Sequence, residues 1–104
     1  PDCPSPLARL TVPRVGEVIQ DEIEVWGSAN IENQSYYKFE FRRADVEDEW
    51  HWVASYEQPV EEGPLGTWQV AHLPEGTYGF RLTVVNIQGN YPFPPCEVQV
   101  HIEH

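Results

Sequence analysis

The stretch Tyr36-Tyr37-Lys38-Phe39-Glu40-Phe41-Arg42-Arg43 decides the architecture. Successive side chains of an extended strand point to opposite faces. Tyr37, Phe39 and Phe41 therefore share one face, and Tyr36, Lys38, Glu40 and Arg42 share the other. An aromatic face opposite a charged face marks a strand with a dry side and a wet side. Helical spacing would scatter the same rings around a cylinder.

The same alternation recurs on both sides of this stretch. Glu22 to Ser28 sets Ile23 and Val25 against Glu22 and Glu24, and Gly27 near its end signals a bulge or a close backbone approach. Tyr78 to Val85 puts Tyr78, Phe80, Leu82 and Val84 on one face, and Cys96 to Ile102 does so with Val98, Val100 and Ile102. Three shorter strands are predicted: Leu7 to Val12, stopped by Pro13; Trp50 to Tyr56; and Thr67 to Ala71, with Trp68 and Val70 inward. Arg14 to Ile19 reads as a turn, and Trp26 falls out of phase with its neighbours, as at a bulge or a domain contact. Asp45-Val46-Glu47-Asp48-Glu49 reads as an acidic hairpin tip, Glu57 to Gly66 as a loop, and Tyr91 to Pro95 as extended loop.

These segments make seven strands with no helical window between them. The predicted fold is all-β: an antiparallel sandwich whose first, second and fifth strands form one sheet, while the third, fourth, sixth and seventh form the other. A length of 104 residues suits one such domain. Ten prolines and seven glycines supply its turns.

Composition narrows the function. With 17 acidic and six basic residues the net charge is −11, which argues against nucleic acid or anionic lipid as a partner. No apolar run is long enough to span a bilayer. The chain opens on Pro1 and has no methionine, so it is read as a processed product or a module excised from a longer protein. Glu103-His104 is read as either native or the stub of a purification tag. Cys3 and Cys96 are too few for a thiolate zinc site and too far apart for a Cys-x-x-Cys redox pair. They are read as a disulfide tying the first strand to the last, hence an oxidising compartment; the alternative is two free thiols.

The stretch Leu73-Pro74-Glu75-Gly76-Thr77-Tyr78-Gly79-Phe80-Arg81-Leu82-Thr83-Val84-Val85-Asn86, followed by Gly89-Asn90, resembles bacterial Ig-like and fibronectin type III-like extracellular modules. Pro13-Arg14-Val15-Gly16-Glu17-Val18 and Gly27-Ser28-Ala29 are similar to the same modules. The resemblance implies sheets of the A-B-E and C′-C-F-G kind and makes Tyr78 the tyrosine-corner residue. It also implies attachment to bacterial surface or cell-envelope proteins, among them glycoside hydrolases and penicillin-binding proteins. Fold alone names no activity.

No catalytic constellation is visible. Ser5, Ser28, Ser35 and Ser55 lie outside any nucleophile elbow, and His51, His72, His101 and His104 lack metal-ligand spacing. The chain is read as not an enzyme, with no cofactor and no metal. Asp45 to Glu49 and Glu61-Glu62 are read as solvated charge rather than calcium ligands, and Asn86 stands where many such modules carry Asp. Asn33-Gln34-Ser35 fits a glycosylation acceptor, which in a bacterial protein is usually chance. Trp50, Trp52 and Tyr36 are the ligand-binding candidates, because flat rings stack on sugars; the competing reading is packing.

The expected role is a monomeric accessory module, extracellular or at the cell surface, that spaces, orients or docks neighbouring domains of its own chain. The alternatives are a carbohydrate- or peptidoglycan-binding module and a protein–protein adhesion domain, with cell-wall glycan or another surface protein as partner.

Overall fold

The structure, a computed structural model, describes Cys3 and residues 5–44 and 46–104. Of the acidic tip read at Asp45 to Glu49, Asp45 lies outside the described residues. Among the described residues eight strands follow one another: β1 (Ala8–Val12), β2 (Val18–Ile19), β3 (Glu22–Ala29), β4 (Gln34–Arg43), β5 (His51–Tyr56), β6 (Val60–Gln69), β7 (Gly76–Asn86) and β8 (Cys96–Ile102). They form a three-stranded sheet, β1-β3-β6, and a five-stranded sheet, β2-β8-β7-β4-β5. This is the sandwich read from the sequence, with one strand added at the β8 edge.

The alternation of β4 positions the core. Tyr37 pairs with Val84, Phe39 with Leu82 and Phe41 with Phe80 across the β4–β7 ladder, so their side chains share the inner face. Phe39, Phe80, Leu82, Val100 and Ile102 are wholly buried there. Val25 and Trp68 meet them from the other sheet, with Val70 just past the end of β6, and the rings of Trp68 and Phe80 stack with centroids 4.4 Å apart. Each such side chain stabilises the fold by about 1.5–3 kcal/mol through removal of apolar surface from water. The Tyr78 hydroxyl donates to the Pro74 carbonyl at 2.7 Å, which fixes the turn that opens β7.

Two sequence expectations need correction. Glu57 to Gly66 is not all loop: β6 begins at Val60, ends at Gln69 rather than Ala71, and buries Leu65. Its pairing with β3 shifts register between Val25 and Trp26 and again between Gly27 and Ala29, which breaks the period of two that sequence reading relies on. Pro64 is tolerated because β6 is an edge strand. Arg14 to Ile19 is not only a turn: Val18 and Ile19 run parallel to His101 and Ile102 of β8, and Ile19 is buried. Trp26 sits opposite the first of the two β6 bulges, exposed, with its indole N–H donated to the Glu24 carboxylate at 2.7 Å.

Candidate functional site

The outer face of the five-stranded sheet and its β5 edge carry the candidate aromatics. Tyr36 and Lys38 point outward from β4, half-buried. Trp52 pairs with Glu40 of β4 and is 63% exposed. Its indole N–H donates to Ser55 Oγ at 2.7 Å, which holds the ring against its own strand. The side chains of Tyr36, Trp52 and Tyr56, with Val60 and Pro64 of β6, wall an open groove of about 910 Å³. Lys38, Ser55, Glu57 and Gln58 supply its polar groups.

The groove floor is stiff. Tyr37 is buried and stacks obliquely on Tyr56, with ring centroids 5.4 Å apart. Its hydroxyl donates to the Leu65 carbonyl at 2.5 Å, tying β4 to β6 across the two sheets. Burial, with a smaller contribution from Tyr56, pushes the Tyr37 hydroxyl up to about 12, so it keeps the proton that this bond needs.

Trp50 has a different position. It precedes β5, is half-buried, and does not line the groove. The Arg81 and Arg42 guanidinium carbons lie 4.1 Å and 4.4 Å from its ring centroid. Arg81 also donates from Nε to Glu40 Oε1 at 2.9 Å, with Nη2 2.9 Å from the same oxygen in an ion pair, and Arg42 lies 3.9 Å from the Glu97 carboxylate. Cation–π contact worth about 0.5–2 kcal/mol per pair thus ties Trp50 to the sheet. Of the three ligand candidates, the structure brings Tyr36 and Trp52 to one groove and leaves Trp50 outside it.

The sequence did not point to Ser55, Glu57, Gln58 or Pro64. Ser55 follows Trp52 by three residues, a spacing without a motif. The others fall in the segment read as loop, so the second wall of the groove was hidden.

At the start of β5, His51 Nε2 lies 3.0 Å from both carboxylate oxygens of Glu47. That hydrogen bond raises the His51 pKa and lowers that of Glu47, which also accepts from the Arg43 backbone N–H. The raised His51 favours the fold below its ordinary value and loses that effect as pH rises through the shifted one. The lowered Glu47 behaves conversely, losing its effect as pH falls, so the pair is best formed in the window between the two groups.

Cys3 and Cys96 form a disulfide, with Cα atoms 4.9 Å apart and a sequence separation of 93. Cys96 is buried at the start of β8, where its sulfur accepts the Leu10 N–H at 3.3 Å. Among the described residues no group of three His, Cys, Asp or Glu side chains is placed to hold a metal ion, and no helix is long and apolar enough to cross a membrane.

Two sheets in this order, closed by a tyrosine corner at the β7 turn, define a fibronectin type III-like β-sandwich. The chain is similar to a solved structure of the fibronectin(III)-like modules of CbhA from Clostridium thermocellum, with a TM-score of 0.65 and 12% identity over 91% of this chain and 94% of that one. At that identity the likeness is one of fold. No family description and no curated protein matches the sequence.

Proposed function

We propose that this chain is a non-catalytic accessory module, one domain of an extracellular protein, that sets the spacing and orientation of its neighbours. One observation carries the reading. The disulfide joins Cys3 to the first residue of β8, and the chain leaves after the last. A pull between Cys3 and His104 therefore passes through the disulfide and along β8 alone, while residues 4–95 lie outside the line of force. Seven strand residues at about 3.4 Å each span roughly 24 Å, a fixed separation of the two attachment points. The likeness in fold to modules of CbhA supports the same reading.

Single-molecule stretching between the chain ends tests it. The reduced chain is expected to release the length closed by the disulfide, roughly 300 Å for a separation of 93 residues at about 3.5 Å each. The oxidised chain is expected to show no such step. An oxidised chain that does release it removes the basis of the spacer.

A second reading is favoured by the exposed Trp52 beside Tyr36, with Ser55 and Gln58 able to hydrogen-bond hydroxyls at the groove rim. In it, the groove stacks a sugar ring of a cell-wall glycan. Titration against a panel of polysaccharides is then expected to show binding that Trp52→Ala abolishes and Trp50→Ala retains. Equal loss in both variants, or no binding by the parent chain, ends this reading.

A further inference from the structure

An edge strand keeps one row of backbone N–H and C=O groups without a strand partner, and proteins blunt such edges with charge, proline, glycine bulges or cover. Four strands occupy edges here: β1 and β6 in one sheet, β2 and β5 in the other. β1 carries Arg9, is followed by Pro13, and turns its Leu10 N–H to the buried Cys96 sulfur. β2 has only two residues. β6 contains Gly63, Pro64 and Gly66 and the carboxylates of Glu61 and Glu62. β5, reading His51-Trp52-Val53-Ala54-Ser55-Tyr56, has six residues with no proline, no glycine and no Lys, Arg, Asp or Glu.

What blunts β5 is a single bulge. Phe39 pairs with Ala54 and Glu40 with Trp52, so Val53 is the extra residue. Beyond it Ala54–Tyr56 runs in regular register with Tyr37–Phe39 and borders the groove. Two of the large exposed hydrophobic side chains, Trp52 and Tyr56, lie on this one strand.

The charge at its ends selects the occupant. Glu47, bonded to His51, and Glu49 stand at the start of β5, and Glu57 stands in the groove just past its end. The cation in the groove wall, Lys38, faces the Glu40 carboxylate at 3.9 Å. A second copy docking antiparallel would set its Glu57 against Glu47 and Glu49, and a parallel copy would set each acid against itself. Both arrangements repel, between chains that each carry −11. We propose that β5 takes up, as an added strand, an extended peptide of another protein that carries a short apolar run with Lys or Arg at both ends. Backbone hydrogen bonds to Ala54–Tyr56 would give the affinity, with Trp52 and the flanking acids giving register and selectivity. The inference is independent of the spacer reading and competes with sugar for the same groove.

The test uses the whole oxidised chain and two blocked synthetic peptides, Arg-Val-Thr-Val-Thr-Val-Arg and the same sequence with Glu for both Arg. The basic peptide is expected to bind at least about tenfold more tightly, with a preference that shrinks as salt rises and with slowed amide exchange in β5. Trp52→Lys, at an exposed position and expected to leave the fold intact by circular dichroism, is expected to weaken it about tenfold or more, as edge charges do. Glu57→Gln is expected to weaken the basic peptide and spare the acidic one. Equal affinity for the two peptides overturns the proposal. So does polysaccharide binding at Trp52 with no peptide binding, and so does a dimer in sedimentation that Trp52→Lys dissolves.

Discussion

Trp68→Ala is expected to lower the unfolding free energy by about 4 kcal/mol. Trp68 is 1% exposed and stands where the two sheets meet. Its ring stacks on Phe80 at 4.4 Å between centroids and tilts against Phe41 at 5.8 Å. Truncation removes the transfer free energy of an indole and leaves a hole between two sheets. Neither sheet can collapse into it, because the β4–β7 and β3–β6 ladders fix their backbones. A domain of this size has about 5–15 kcal/mol in all, so the variant should melt roughly 15–30 °C lower. Urea unfolding followed by far-ultraviolet circular dichroism measures the difference. A loss under about 1 kcal/mol would show that the stack does not form the centre of the core.

Gly27→Ala is expected to cost about 3 kcal/mol or more, through overpacking rather than a cavity. Gly27 is buried in β3, opposite Leu10 of β1 and Gly63 of β6. A Cβ there would run into the carbonyl oxygen of Arg9 and sit 3.1 Å from the Leu10 Cα. Both obstacles are backbone, so relief requires β1 to move off β3. Gly16→Ala is the control. Gly16 has φ +82 but nothing within 4 Å of an added Cβ, so it suffers only the left-handed conformation, about 1–2 kcal/mol. Equilibrium unfolding of the two variants should separate them, with Gly27→Ala the weaker fold and the amides of β1 the first to exchange. If the two variants are equally stable, the close approach of β1 to β3 is not as described.

These two positions also show what was readable in advance. Gly27 announces itself as a glycine inside an alternating strand, and the Phe39–Leu82 and Phe41–Phe80 pairs follow from alternation in two segments that each obey a period of two. β6 does not obey it. Its bulges opposite Val25–Trp26 and Gly27–Ala29 put Gly63 and Leu65 inside in a segment whose composition reads as loop. β2 escapes notice because two residues carry no period, and its pairing with β8 is decided by tertiary contact. The candidate site was legible in part for the same reason. Trp50 and Trp52 look equivalent as neighbours two apart, but what separates them is Arg42 and Arg81 reaching from β4 and β7. A sequence does not display cross-strand neighbours until the register is known.

The covalent link between Cys3 and Cys96 has a further consequence, for protease attack. The exposed segments Glu57-Gln58-Pro59 and Ile87–Tyr91 are natural cleavage points. A single cut in either falls within the ring that the sulfur bridge closes, so both fragments stay joined. Whatever lies on either side of a nicked molecule remains tethered, and only a second lesion, in the bridge itself or in β8, sets it loose.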